Sequence, residues 1–263
     1  MTFYKWIYAV VLIFLALGSP SALFAEEETK SEPNGDSAWL KLSLWPGVVW
    51  MSDDNLEGLG LGIVSSNKNT TGLSASVLLD EASGDYIGLQ IAPMNVVGGD
   101  ILGAQVGLYQ STQGDSLGLQ LGVINRSGDS FSGIQAGLAN LNGGCVGGAS
   151  VGLFNYSGFD AGILQVGLVQ IADRDFEGLQ AGGVNMIVRN LSGIQVGLWN
   201  ACGDMDGAQI GLINSASTVT GLQLGMINAA QKMDRGVSLG IINLYRTGDG
   251  GISGFSPIIR ARF

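Results

Sequence analysis

From Gly58 onward, apolar and polar positions alternate with a period of two over about ten residues, give way to about five residues of turn chemistry, and the cycle starts again. The cleanest copy is Gly118-Leu119-Gln120-Leu121-Gly122-Val123-Ile124-Asn125. With its first glycine as position 0, odd positions from −1 to 7 read polar, Leu, Val/Leu/Ala, Leu, Asn; even positions from −2 to 6 read apolar, Gly, Gln, Gly, apolar or aromatic. Two unlike faces sorted in this way predict a strand, because successive side chains point to opposite sides of extended backbone. The intervening segments, such as Arg126-Ser127-Gly128-Asp129-Ser130 and Tyr156-Ser157-Gly158-Phe159-Asp160, carry the residues that make turns, and no repeat has a helical period.

The same phrase returns from Gly133, Gly178, Gly193, Gly207 and Gly221, with degraded copies from Gly58, Gly72, Gly88, Gly103, Gly148, Ile163, Gly236 and Gly251. The steps are 14, 16, seven of 15, then 14, 14, 15 and 15, which makes fourteen units. A fixed period means one structural unit copied, each copy burying a face against its neighbours. Ala38 to Trp45 adds a further alternating strand closed by Pro46-Gly47, and the chain ends in another, Phe255 to Phe263.

Two architectures satisfy this pattern, both all-β. The leading expectation is a repeat-built antiparallel β-barrel of about 14–16 strands, since about ten alternating residues cross a bilayer and closure removes exposed strand edges. Leu, Val and Leu would face lipid, Gly and Gln the interior, and Gly-x-Gln-x-Gly reads alike in both directions, which suits antiparallel neighbours. The alternative is a β-solenoid with about 15 residues per coil, in which Asn125 stacks beside Asn140 and Asn155 as an amide ladder. Ten extended residues span about 33 Å, too far for five residues to return the chain unless the strand bends at Gly, and this favours the barrel. The apolar positions 1, 3 and 5 make a band of only about 17 Å against the roughly 25 Å of an outer-membrane barrel, and this counts the other way.

Composition narrows the setting. Charged residues are 13% of the 263-residue chain, about half the usual share, while 46% are hydrophobic, so the chain is expected to have surface that does not face water, or very little exposed side-chain surface. The net charge of −10 disfavours a nucleic-acid partner. There is no histidine, which removes the commonest general base and metal ligand. Lys5, the apolar run Trp6 to Leu17 and the Ala22-Leu23-Phe24-Ala25 site before Glu26-Glu27-Glu28 predict a secretion signal over residues 1–25. Residues 26–37 follow as a polar linker, and 38–263 as a single repeat domain. Cys145 and Cys202 lie about four repeat steps apart and are expected to remain unpaired.

Other chemistry is weak. Gly58-Leu59-Gly60-Leu61-Gly62 lacks the helix and spacing of a dinucleotide loop. Asp53-Asp54, Asp173-Arg174-Asp175 and Asp204-Met205-Asp206 do not repeat with calcium-liganding spacing and read as solvated turns. No catalytic, cofactor or metal residue is assigned, and an enzyme is not expected.

The repeat, the secretion signal, the opening Leu42-Ser43-Leu44-Trp45-Pro46-Gly47 and the closing Pro257 to Phe263 together resemble a family of bacterial surface-repeat proteins known mainly from leptospires, with relatives in other Gram-negative bacteria. The resemblance covers Leu42 to Phe263 and implies an envelope or surface location without an established catalytic activity. Gly58-Leu59-Gly60 and Gly72-Leu73-Ser74, which lack Gln, and Ala92-Pro93-Met94-Asn95 depart from the pattern, so the first units are expected to be irregular. The functional expectation is a non-enzymatic outer-membrane barrel serving as a surface or pore-forming protein. Its partners would be the lipid bilayer and the outer-membrane insertion machinery, the latter reading the strand that ends in Phe263. The alternative is an exported solenoid with an adhesive or structural role.

Overall fold

A computed structural model describes residues 37–45, 48–50, 55–246 and 254–263, all within one compact unit, Gly35–Phe263. The expected secretion signal, nearly all of the linker, Pro46-Gly47, Asp53-Asp54 and the start of the fourteenth unit at Gly251 lie outside the described residues. The fold is all-β, a solenoid of about 13 turns. It opens with β1 (Ser37–Trp45), β2 (Val48–Trp50), β3 (Asn55–Asn67) and β4 (Asn69–Ala82). Six-residue and four-residue strands then alternate: β5 (Tyr86–Ile91), β6 (Met94–Val97), β7 (Ile101–Val106), β8 (Tyr109–Thr112), β9 (Ser116–Leu121), β10 (Ile124–Ser127), β11 (Phe131–Ala136), β12 (Ala139–Asn142), β13 (Val146–Val151) and β14 (Phe154–Ser157). Longer continuous runs finish it: β15 (Ala161–Ala172), β16 (Phe176–Ile187), β17 (Asn190–Leu224), β18 (Ile227–Tyr245) and β19 (Gly254–Arg262).

The antiparallel barrel is not what this chain forms. Apart from β1–β2 and β18–β19, every pairing is parallel and joins equivalent positions of successive units: Gln120 to Gln135, Asn125 to Asn140, Leu164 to Leu179, Asn214 to Asn228. The reason is the bend at Gly that the ten-residue strand reading weighed and set aside. Each unit is two arms, six and four residues long in the middle coils, and the chain turns at Gly122-Val123 and again at Gly128-Asp129 to complete a coil.

The first bend also resets the alternation. In β9 the inward positions are Ser116 and Gln120; past the bend they are Asn125 and Ser127, and Val123 and Ile124 both face out. Asn therefore sits on the side of Gln, not on the side of Leu as unbroken alternation predicts. Stacked at about 4.8 Å, thirteen coils make a rod about 60 Å long.

The leading glycine of each unit is needed by the stacking. Gly118 has φ +136°, and a Cβ there would run into the carbonyl oxygen of Gly103 one coil below. Ile163 fills the equivalent place with φ 75°, in the left-handed region that a β-branched residue seldom adopts.

The two ends depart from the repeat. β1 stacks parallel on β3, Leu40 on Leu59 and Lys41 on Gly60, and so adds a strand layer before the first recognised unit, with β2 folded back antiparallel on it. β19 turns back antiparallel along β18, Ile259 opposite Leu239, rather than adding another coil. The register slips between Ala38 and Leu40, between Gly62 and Val64, and between Val219 and Thr220.

Candidate functional site

Three surfaces of the coil stack could do something: the amide-filled interior, the apolar outside and an acidic groove along one edge.

The interior is divided. On one side lie position −2 residues and the ends of the short arms, which build an apolar core from Phe131, Val146, Phe176, Ile187, Leu191, Met205 and Met233. On the other lie two columns of fully buried amides. In the Gln column the later coil donates to the earlier one: Gln120 Nε2 to Gln105 Oε1 at 2.8 Å, Gln135 to Gln120 at 2.7 Å, Gln195 to Gln180 at 2.9 Å. In the Asn column donation runs the opposite way: Asn125 Nδ2 to Asn140 Oδ1 at 2.8 Å, Asn140 to Asn155 at 2.8 Å, Asn214 to Asn228 at 2.8 Å.

The second Nδ2 hydrogen of these asparagines closes the bend of the next coil, as from Asn125 to the carbonyl of Ala136 and from Asn185 to that of Val196, both at 3.0 Å. An unpaired buried amide costs about 1–3 kcal/mol, so an interior of this kind is stable only when the ladders are continuous.

Three asparagines in the column have an Oδ1 with no partner: Asn95, Asn125 and Asn185. Each follows a coil whose residue at that position is not Asn, namely Asp80, Gln110 and Gln170. Gln has the amide but carries it one carbon too far, so Gln110 and Gln170 donate to backbone carbonyls of the following coil instead. Asp has no N–H to give.

The outside is apolar. Positions 1, 3 and 5 point away from the interior, and from Leu59 to Ile241 none of them holds Asp, Glu, Lys or Arg. Leu108, Leu138, Leu153, Leu168 and Leu198 are each more than half exposed and stand one above another at the bend. The polarity expected from the sequence, Leu outward and Gln inward, holds although the strands do not form a barrel. Phe263, the residue expected to be read by the insertion machinery, is fully exposed just beyond β19.

The groove, of about 840 Å³, runs along the second bend. Asp160, Asp175, Glu177, Asp204 and Asp206 line it, with Phe176, Leu191 and Met205 among them. Two of its carboxylates are engaged with backbone: Asp160 Oδ1 accepts from the N–H of Asp175 at 3.3 Å and Asp175 Oδ1 from that of Asn190 at 3.0 Å; along the same edge but outside this groove, Asp85 and Asp100 do the same for Asp100 and Asp115 at 2.9 and 2.8 Å. Two of the turns singled out in the sequence meet here. Asp173 instead accepts from the Tyr156 hydroxyl at 2.7 Å, and the Arg174 guanidinium lies over the Phe159 ring. These aspartates brace successive coils, and among the described residues no three Cys, Asp or Glu are gathered as a metal site.

Gly58 to Gly62 lies in extended β3, with no helix after it to receive a phosphate. Cys145 is exposed and Cys202 half-buried; both are unbonded. Burial, and then Asp204, push the Cys202 thiol up to about 12, and its sulfur accepts from Gln209 Nε2 at 3.3 Å, so it rests as a packed thiol.

What sequence reasoning missed is the ionisable material inside the first coils. Lys41, 4% exposed, stands in the Gln column, and Asp80, 0% exposed, stands in the Asn column. The signal was present: Asp80 occupies the Asn register one residue late, because its unit is the only one followed by a step of 16.

Comparison of the chain with protein-family models, with curated proteins and with solved structures finds no match.

Proposed function

We propose that this chain is an exported, non-enzymatic β-solenoid of the bacterial envelope surface, with a structural or adhesive role exerted through its apolar outer face. One observation carries the reading: thirteen coils present positions 1, 3 and 5 outward without a charged side chain. A water-facing sheet ordinarily carries charges there, and uninterrupted apolar surface beyond a few hundred Å² marks a contact surface. The matching partner is the acyl region of a lipid layer, which asks for apolar area and no directional bonds; the acidic groove on another edge stays in water. The secretion signal and the resemblance to surface-repeat proteins support the envelope as the location. The non-enzymatic reading is supported by the interior, whose amides are spent on one another, and by Asp160 and Asp175 of the groove, which are spent on backbone.

Fractionation of the producing cells, followed by flotation of the purified chain with zwitterionic vesicles, tests this. The chain is expected in the envelope fraction and on the vesicles, with flotation insensitive to salt because the contact is apolar. A chain that stays in the soluble fraction and does not float contradicts the proposal.

A further inference from the structure

The orphaned oxygen atoms of the described residues are unevenly placed. Ser43, Thr70, Ser74, Ser76, both carboxylate oxygens of Asp80 and Oδ1 of Asn95 all lie in the first coils. Here the Gln column holds Lys41, Gly60 and Ser74 in place of glutamines. Asp80 stacks in register between Ser65 and Asn95. In the regular ladder the Nδ2 of one asparagine donates to the Oδ1 of the next, as Asn185 does to Asn200 at 2.7 Å. At Asp80 that place is taken by an oxygen, and its neighbour in register, Asn95, presents an Oδ1 that also has no partner. The Nδ2 of Asn95 cannot help, because it is engaged with the carbonyls of Ala92 and Val106 and with Gln110 Oε1. Two acceptors stacked in a dry interior need a hydrogen between them.

We propose that Asp80 is a proton-binding position: its carboxyl takes a proton from solvent on folding and donates it to Asn95 Oδ1, standing in for the missing amide, and loss of that proton loosens the first coils. The groups around it fit. Ser65 from β3 and Asn95 from β6 carry no charge, and from β5 come Gln90 and Tyr86. Gln90 and Ser74 stand close to the carboxyl, yet neither meets its oxygens with hydrogen-bond geometry, and Gln90 Nε2 donates to the Asp80 backbone carbonyl at 3.0 Å. Among the described residues the cation whose field reaches Asp80 is Lys41 from β1, which favours the ionised form; its ammonium donates to the carbonyl of Ser66 at 2.9 Å and to Asn67 Oδ1 at 2.8 Å. Burial outweighs the nearby Ser74 and Gln90 as well as Lys41, all three of which favour the ionised form, and lifts the carboxyl from 3.8 to about 6; burial, and then the Asp80 charge, raise the Tyr86 phenol.

The sign follows from linkage. Below about pH 4 folded and unfolded chains both hold the proton, and the first coils have their full stability. Between about pH 4 and 6 only the folded chain keeps it, and stability falls; above about 6 the loss is complete and constant, about a hundred-fold in the local folding equilibrium.

The test is hydrogen exchange of amides 86–97 in the full chain and in Asp80→Asn, from pH 4 to 8, corrected for intrinsic exchange. Asparagine completes the ladder without a proton, so D80N is expected to protect these amides about a hundred-fold better than the native chain at pH 8, and equally at pH 4. A gap that does not change with pH, or a D80N chain less protected at pH 8, overturns the proposal. The Asp80 side-chain carbonyl resonance of the native chain keeps the test independent of how the variant folds: a midpoint near 6 is expected, and one near 4 overturns it. Added sodium or calcium at pH 8 is expected to leave protection unchanged; recovery of the pH 4 protection would put a cation, not a proton, between the two oxygens and overturn the proposal.

Discussion

Asn185 Nδ2 lies 2.7 Å from Oδ1 of Asn200, one coil further along the rod, while in the same pair of coils Gln195 Nε2 lies 2.9 Å from Oε1 of Gln180, one coil back. The two ladders thus run with opposite polarity, and their amide dipoles oppose rather than add. Each coil is both donor and acceptor to each neighbour, so a coil of the wrong composition leaves two neighbours unsatisfied, not one.

Asn200 takes part in three of these bonds: it accepts from Asn185 and donates to the carbonyl of Ile210 at 3.0 Å and to Asn214 Oδ1 at 2.9 Å. At about 1 kcal/mol per bond, Asn200→Ala is expected to cost about 3 kcal/mol, read as a lower urea midpoint with the slope unchanged. A cost below about 0.5 kcal/mol would mean that the column is decorative.

Gln170 offers the opposite experiment. Its Oε1 and the Oδ1 of Asn185 are both orphaned because the side chain is one carbon too long for the column. Gln170→Asn joins Asn155 to Asn185 through position 170 and is expected to stabilise the chain by about 1–2 kcal/mol, visible as a raised thermal midpoint. Polar substitutions in a protein interior seldom stabilise, so a gain here would be informative.

Ile163 holds φ 75° where other units have glycine. Ile163→Gly relieves about 1–2 kcal/mol of left-handed strain and gives back part of it as glycine entropy, for a net gain of about 0.5–1 kcal/mol in denaturant unfolding. A loss would show that the exposed Ile163 side chain packs on something that outweighs the strain.

Repeat, strand–turn alternation and the outward Leu with inward Gln were all readable in Gly118 to Asn125. The bend was not. Gly122 and Val123 break a ten-residue alternation into two arms, and nothing in their identity distinguishes a glycine that bends the chain from one that makes room for a neighbour. With the strand taken as unbroken, Asn125 fell on the Leu face and the antiparallel barrel followed. The column of Asn was the better guide, because only parallel stacking places Asn125, Asn140 and Asn155 within one amide bond of each other. Asp80 escaped notice for a simpler reason: a coil one residue longer than the regular fifteen, the extra residue lying between Ser76 and Leu79, shifts it out of the expected position.

The outer face is tested by charge. Leu138, Leu153 and Leu168 stand in one exposed column, and replacing all three by Lys is expected to leave the fold and its urea midpoint within about 1 kcal/mol while lowering flotation on zwitterionic vesicles at least ten-fold. Unchanged flotation would place the lipid contact elsewhere.

The central claim is parallel coiling, and proximity at two levels of one repeat tests it most directly. Leu117 pairs with Ser132 and, seven residues on, Ile124 pairs with Ala139, all four facing outward. Cysteine pairs at 117/132 and at 124/139 are expected both to cross-link, or both to show strong dipolar broadening when spin-labelled, since each pair sits about 4.8 Å apart. In antiparallel strands, bringing one pair into register drives the other about 45 Å apart. Proximity at both levels is the predicted result; proximity at only one would contradict the solenoid.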